Sequence, residues 1–569
     1  MKENSAAYFA AFYKHNRLRW VVTMFLSLLL IPLNLLTAWA LGAILDAITF
    51  GEMSALWRIL GIMAGVVAGI ALQQLAMNRM QASFIRRALV QYKSFAFRKL
   101  SEKGISAFVK ENTGRYISVL TNDVNTIEEN YLVQTFSLIH QILSFLCTLI
   151  MMLWYSPALT AAVVVFCALP LAVSLLFGKI LPTKEKMVSD QNERFVSHVK
   201  DFLSGFSVIK SFKAEKNVCA LFDDVSQVTE DVKFHRRWCK ALVGVAGGAC
   251  GFIMQCGIFF VGACLAIQGN ITGGTVLIFV QLTNYLMPPL QVVPQYWAGR
   301  KAAKCLVEKM ANIAEENVGR SGESIEPVLR EAIEFRNLFF GYSSENPVLQ
   351  GISMRLEAGK KYALVGASGS GKSSLLSLLM GAYDNYQGNL LFDGKEIKTI
   401  ASDSLYDLVS LIGQNVFLFD DTIERNITMF GDFPADKIHT AENCSGLAEL
   451  IERKGNDYRC GENGINLSGG ERQRISIARC LIRSTPVLLL DEATAALDNE
   501  TAFSIIDSLL SLDGFTEVIV THRLERTLLE RYDEIFVLRN GRIHEHGTFQ
   551  DLMNKEGYFY SLYSVISEN

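Results

Sequence analysis

The chain has 569 residues, half of them hydrophobic, with a mean hydropathy of +0.24 and a net charge of −3. That length holds about three or four domains, and the charge balance gives no sign of a nucleic-acid binder. Charge is unevenly spread: long stretches of the first half carry none, whereas the remainder reads like an ordinary soluble protein.

Residues 1–18 carry Lys2, Glu3, Lys14 and Arg17 and read as a short interfacial segment. The apolar run that follows is too long for a signal-peptide core and has no obvious small-residue cleavage site, so a retained helix is expected. A membrane-spanning helix needs about 20 apolar residues. Trp20–Leu45 and Ile59–Asn78 supply two such helices. The uncharged runs Tyr131–Gly178 and Ala241–Gly299 each hold two more, around turns at Tyr155-Ser156-Pro157 and at Gln268 to Gly274. Six spans are therefore expected over residues 19–310.

Lys and Arg set the orientation. The segment after the second span is basic (Arg79, Arg86, Arg87, Lys93, Arg98, Lys99, Lys103, Lys110, Arg115), and so is Lys179 through Lys240 after the fourth. The other loops are short and nearly free of Lys and Arg. Both basic loops, both termini and everything after the sixth span are expected in the cytoplasm. Acidic and basic residues alternate at helical spacings in the two long loops. They are predicted to extend the spans as helical hairpins whose tips can touch the C-terminal half.

The polar residues within the spans are Asn34, Gln73, Gln74, His140, Gln255, Gln281 and Asn284, with no Asp, Glu, Lys or Arg among them. Intramembrane ionisable groups mark ion pathways, so their absence argues against proton or sodium coupling. His140 reads as a helix–helix hydrogen bonder. Gln281, Asn284 and Tyr285 either line a cavity or bond between helices. Pro32, Pro170, Pro288 and Pro289 are expected to kink helices. Of the eleven cysteines, Cys147, Cys167, Cys250, Cys256 and Cys264 sit in apolar runs, and no C-x-x-C pair or metal-ligand spacing occurs. They read as small apolar fillers, with no disulfide implied.

Arg300 to Glu316 reads as a polar helix, and residues 311–332 hold a linker. Residues 333–569 begin with the strand-like alternation Ile333-Glu334-Phe335. Further on, Gly366-Ala367-Ser368-Gly369-Ser370-Gly371-Lys372-Ser373 fits G-x-x-x-x-G-K-[ST]. A short apolar strand, Lys361 to Val365, precedes it, and a helix opening at Ser374 follows. Glycines let backbone N–H groups wrap a phosphate, and the helix N-terminus favours the anion. Lys372 would reach the β- and γ-phosphates, and the Ser373 hydroxyl would ligate Mg²⁺. Pro486 to Glu492 is an apolar strand ending in two carboxylates. Asp491 would hold Mg²⁺, and Glu492 would polarise the attacking water. Val518-Ile519-Val520-Thr521-His522 is a second such strand. Strand carboxyl ends are where parallel α/β sheets bind ligands. Tyr342, between two strand patterns, reads from spacing alone as a core or surface aromatic. His544 and His546 read as surface residues.

Leu467-Ser468-Gly469-Gly470-Glu471-Arg472-Gln473-Arg474, taken with these motifs, resembles the ABC transporter ATPase. The family signature usually reads L-S-G-G-Q. Glu471 departs from it, while the phosphate-facing Ser468, Gly469 and Gly470 are intact. Gln414 matches the family's Q-loop, Ala496-Leu497-Asp498 the end of its D-loop, and Gly461-Glu462 a segment of exporter-fold members. Thr113-Gly114, Leu120 to Val124, and Gly205 through Val208 to Phe212 with Glu215 are similar to the exporters' two long loops.

The resemblance covers nearly the whole chain. It implies an all-α six-helix transmembrane domain followed by an α/β P-loop ATPase domain with a helical subdomain. It implies ATP and Mg²⁺, with Glu492, His522 and Gln414 catalytic and Ser373, Gln414 and Asp491 around the metal. Tyr342 becomes the adenine-stacking residue, and Gly366 through Ser374 hold the phosphates. Leu467 to Glu471 would contact ATP across a dimer, beside Asp498. Glu492, His522 and the signature are serviceable, so a homodimer is expected ahead of a heterodimer with a second half-transporter.

The expected activity is ATP-driven export of a drug, lipid or peptide from a bacterial inner or plasma membrane. The alternatives are an exporter-fold importer, for example of a metal–siderophore, and a non-transporting ATP-gated channel or regulator. The intact Glu492 and His522 speak against the channel. No peptidase domain precedes the first helix, so cleavage of peptide leaders is not expected.

Overall fold

The computed structural model describes residues 2–567 except 106, 108–112, 178–179, 344–345, 415 and 495–496. Lys110, Gly178, Lys179 and Ala496 of the sequence reading lie outside the described residues. The chain forms two units. One joins Met1–Arg98 to Tyr116–Ile313; the other joins Lys99–Arg115 to Ala314–Asn569.

The first unit is helical, as uncharged apolar segments must be if their backbone groups are to be satisfied in lipid. Its helices include α1 (Lys2–Tyr13), α2 (Arg17–Phe50), α3 (Met53–Ser101), α4 (Gln134–Tyr155), α5 (Pro157–Phe177), α6 (Ile180–Ser204), α7 (Phe206–Ser211), α8 (Glu215–Ile267) and α9 (Gly273–Glu315). The six predicted spans fall on α2, α3, α4, α5, α8 and α9; among the described residues, four helices, Arg17–Phe50, Met53–Ser101, Gly114–Tyr155 and Glu215–Ile267, are long and apolar enough to cross a membrane. The 49 residues of α3 rise about 74 Å, more than twice a bilayer core of about 30 Å. It therefore runs well beyond the predicted end at Asn78, as the hairpin reading requires.

Polar groups tie these helices. Gln73 Nε2 donates to the Leu26 carbonyl at 2.6 Å, and His140 Nδ1 lies 2.8 Å from the Ser27 carbonyl. His140 is thus a helix–helix bonder. Asn284 bonds Gln281 on its own helix at 3.3 Å. At the other end of α2, Asp46 accepts from the Gly274 N–H at 2.8 Å and the Thr272 hydroxyl at 2.9 Å. A Cβ on Gly274 would strike the Gly42 carbonyl and the Asp46 carboxylate, so α2 and α9 meet only because both positions are glycine. α1 is packed rather than loose. Phe12 is fully buried and stacks on Tyr92 at 4.6 Å, and Tyr8 meets Phe95 edge-on at 4.9 Å.

The second unit is α/β. Four antiparallel strands run in the order β2 (Asn346–Glu357), β1 (Ala332–Ser343), β4 (Gln387–Phe392), β5 (Lys395–Glu396). A six-stranded sheet runs β10 (Arg542–Gly547), β9 (Glu534–Arg539), β3 (Lys361–Gly366), β8 (Thr516–Val520), β7 (Val487–Asp491), β6 (Val409–Ile412). All but β10 are parallel in it. β3 and β8 are buried along their whole length, which explains their unbroken apolar reading. One core fills the space between the sheets, through Phe335, Leu349, Leu375, Phe392 and Leu489. A separate core, around Ile423, Leu447, Leu450 and Ile475, holds a helical portion of α10 to α12 (Ile423–Thr428, Ala435–Cys444, Ala448–Lys454) and α13 (Gly469–Arg483).

The tip of the first long loop belongs to this unit. Gly104 N–H donates to the Asn317 carbonyl at 3.1 Å, Gly319 N–H to that of Glu102 at 2.9 Å, and Ile105 N–H to the Tyr406 hydroxyl at 3.3 Å. Below the sheet, Lys361 Nζ donates to Glu517 Oε1 at 2.7 Å and to the Leu512 and Phe515 carbonyls at 2.8 and 3.1 Å. Glu517 is fully buried, and its Oε2 has no partner among the described residues. Burial pushes its carboxyl up to about 7, with Lys361 opposing.

Candidate nucleotide site

β3 leaves the sheet at Gly366, between β8 and β9, and the next helix, Lys372–Leu379, starts six residues later. At its two ends, Gly366 and Gly371, the backbone between has no room for a side chain. Gly366 has φ +154°, and a Cβ there would run into the Leu538 carbonyl oxygen. Gly371 has φ +105°, and a Cβ would lie 2.6 Å from Leu349 Cδ2. These are the close approaches that only glycine allows.

Lys372 is buried, and its Nζ donates to the Gly366 and Ala367 carbonyls at 2.9 and 3.1 Å. Burial pulls its pKa below the usual lysine range, with Glu492 and Asp491 opposing. Ser370 Oγ is buried with no hydrogen-bond partner among the described residues. A buried orphan polar atom is costly, and a phosphate oxygen would satisfy it. Ser373 Oγ donates to Asp491 Oδ1 at 3.0 Å. A hydroxyl beside a carboxylate is a hard oxygen set that fits Mg²⁺.

Glu492 follows β7 with φ +49°, in the left-handed region, a cost of roughly 1–3 kcal/mol for such a residue. Its N–H bonds the Val520 carbonyl at 3.3 Å, which holds the turn against β8. Its carboxylate accepts from Gln414 Nε2 at 3.0 Å and lies 2.9 Å from His522 Nε2. Gln414, Glu492 and His522 come from the ends of β6, β7 and β8, which are adjacent and parallel. The three residues named from separate strands thus form one chain of contacts. Burial also raises the Asp491 carboxyl, with the Ser373 bond opposing; a bound cation would reverse that rise.

Tyr342 is 58% exposed and sits edge-on to Phe340 and Tyr383. Its hydroxyl is 2.9 Å from that of Ser374 at the start of the phosphate-loop helix. Ser368 and Gly369 lie in the turn of the loop itself.

The signature opens α13. Ser468 caps it: its Oγ accepts from Glu471 N–H at 3.2 Å, and Glu471 Oε2 accepts from Ser468 N–H at 2.7 Å. Arg453 binds the other Glu471 oxygen at 2.7 Å. The departure from L-S-G-G-Q is therefore a capping box with the carboxylate turned inward, a role that S-x-x-E could have flagged. Leu467 is buried, and Gly469 and Gly470 form the first turn. No hydrogen bond among the described residues joins Leu467 to Gly470 to the phosphate loop. Asp498 caps the next helix, accepting from Thr501 N–H at 2.9 Å. Arg523, which no motif singled out, donates to Asn499 Oδ1 and the Leu497 carbonyl, both at 2.9 Å. It pins the D-loop beside His522.

The family model of the ABC transporter transmembrane region matches residues 20–290, and that of the ABC transporter matches residues 349–495. The ATP-dependent lipid A-core flippase of Photobacterium profundum is 32% identical over 82% of this chain and 81% of its own length. A putative multidrug export ATP-binding/permease protein of Staphylococcus aureus (strain NCTC 8325 / PS 47) is 31% identical over 88% of this chain and 89% of its own. The uncharacterized ABC transporter ATP-binding protein YfiC of Bacillus subtilis (strain 168) is 27% identical over 95% and 91%. In fold, a bacterial Atm1-family ABC exporter with ATP bound superposes with a TM-score of 0.83, covering 96% of this chain and 98% of that one at 24% identity. The chain belongs to the ABC transporters: a helical membrane domain fused to an ATPase whose hydrolysis of ATP is coupled to exporter-type transport.

Proposed function

We propose that this chain exports an amphipathic or hydrophobic compound (drug, lipid or peptide) as a homodimer. The observation that carries this is the contact chain Gln414–Glu492–His522, set beside Ser373–Asp491 in a chain whose N-terminal helices hold long uncharged apolar stretches. The flippase and multidrug-export relatives support the cargo class.

In this reading the loop amides, Ser370 and Lys372 hold the phosphates, and Tyr342 stacks on adenine. Ser373 and Asp491 would hold Mg²⁺, with Gln414 beside them, and the cation would supply neutralising charge to the phosphate oxygens. Glu492 orients a water for attack on the γ-phosphorus and takes its proton as the P–O bond to ADP breaks. His522 holds the carboxylate in place. Ser468, Gly469 and Gly470 of one chain face the nucleotide held by the other, beside Asp498, with Leu467 and Glu471 shaping the turn. Closing that pair shifts the membrane domain between two states by differential binding. The basic loops support an orientation with the ATPase and both termini in the cytoplasm, and the bacterial relatives support a bacterial inner or plasma membrane.

Inside-out vesicles containing the chain test this. ATP-dependent uptake of a lipophilic probe is expected. No uptake of any probe class, with uptake into whole cells instead, would favour import. Negligible ATPase activity from the well-folded chain alone would favour a heterodimer.

A further inference from the structure

Away from the nucleotide site, the helical unit holds a cleft of about 540 Å³ lined by Phe9, Tyr131, Trp297, Arg300, Lys301 and Lys304. We propose that it binds an anionic amphiphile: a phosphate or carboxylate head joined to an apolar tail.

One wall is aromatic and pre-formed. The Tyr131 ring is buried, 5.3 Å from Phe9 and 6.0 Å from Phe12. The Arg300 guanidinium lies over it at 4.8 Å and also donates to Thr135 Oγ1 at 2.9 Å. α1 is thereby clamped against the start of the third span. The other wall is a stripe on α9. Trp297, Lys301 and Lys304 recur at i, i+4 and i+7, so they share one helix face, and Trp297 is 66% exposed.

The cations are under-compensated. Among the described residues, Arg300 meets a hydroxyl and an aromatic face, and Lys301 has no acidic partner. Lys304 has Glu308 at 3.8 Å, with both side chains exposed, a pair of little worth. Three positive groups beside three aromatic side chains match an anion with an apolar body, and the volume suits a ligand of drug or lysolipid size.

The level is right for such a molecule. Tyr131 opens one uncharged stretch, and Arg300 is the first charge after another. The cleft therefore straddles the boundary at which apolar helix gives way to charge, where tryptophan and tyrosine favour the interface. The role of this ligand as cargo rests on the export reading above; its binding does not.

The test uses the full chain in phosphatidylcholine nanodiscs without ATP. These are titrated with fluorescent oleoyl-lysophosphatidate and, in parallel, with lysophosphatidylcholine of the same tail. Saturable binding above protein-free discs is expected, at least tenfold tighter for the anion. It should weaken about tenfold in K301E/K304E, and in the neutral K301Q/K304Q by less. K301E/K304E should also gain binding of hexadecyltrimethylammonium, a result misfolding cannot produce. Octyl phosphate added from water should compete if the cleft is entered from the aqueous side; its failure, with lysophosphatidate still bound, places entry in the bilayer. Equal affinity for the two lysolipids, or unchanged anion binding in K301E/K304E, overturns the proposal. ATP-driven uptake of a neutral dye without lysophosphatidate binding would leave export standing and remove this site. Binding without ATP-driven movement would leave the site and remove its role as cargo entry.

Discussion

Glu492→Gln separates the catalytic contribution of this carboxylate from its structural one. The amide has the carboxylate's size, so its oxygen can still accept from Gln414 Nε2, now at 3.0 Å, and its N–H can face His522 Nε2, now at 2.9 Å. The left-handed backbone at φ +49° makes the same demand of Gln. What is lost is the base. General acid–base catalysis contributes about 10²–10⁴ in rate, or about 3–5 kcal/mol at 1.36 kcal/mol per decade. The phosphate loop, Lys372 and Tyr342 are untouched, so ATP affinity should change by no more than about twofold. Single-turnover hydrolysis and binding of a fluorescent ATP analogue, both in nanodiscs, measure the two quantities. At least a hundredfold slower hydrolysis with near-normal binding is expected, and the closed dimer should accumulate with ATP. A variant that keeps more than a tenth of wild-type turnover would refute Glu492 as the base.

Other substitutions probe the remaining parts. Lys372→Ala should abolish nucleotide binding or turnover, read by the same two assays; normal ATPase activity would sink the phosphate-loop assignment. Glu471→Gln keeps the capping box, since Gln serves at that position, and weakens the ion pairs with the exposed Arg453 at 2.7 Å and with Lys454 at 3.9 Å, pairs with solvent-facing partners being worth about 0–1 kcal/mol each. ATPase activity within about twofold of wild type is expected, whereas a tenfold fall would give the Glu471 charge a role at the composite site. Glu517 binds its proton more tightly folded, at about 7, than at its ordinary 4.5. Its contribution to stability is therefore greatest below 4.5 and is lost as pH rises through about 7. Thermal midpoints of wild type and Glu517→Gln between pH 5 and 8 should show a wild-type decline that the variant lacks; a gap independent of pH would contradict this.

The membrane spans and the strand-end motifs were legible because each rests on a local property. Crossing a bilayer requires an uncharged apolar stretch, and a phosphate loop requires glycines at fixed spacing before a helix. Neither depends on distant residues. Where α3 ends was only partly legible, since hydropathy reports the bilayer and not the helix that continues past it. The burial of Phe12 and Tyr8 on α3 was not legible at all, because α1 has no long apolar run and gains its partners only from Tyr92 and Phe95, some 80 residues on.

The order of the two domains, the six spans and the identity of the ATPase motifs are all written in neighbouring residues, so a reading of the chain alone reaches them. Folding in three dimensions is what brings Gln414 to Glu492 across 78 positions and Ser373 to Asp491 across 118. It likewise buries Lys361 against Glu517 and gathers Phe9, Tyr131 and Lys301 around one cleft. Those contacts depend on strand order and helix packing, which arise from burying whole faces at once and leave no local trace in the chain.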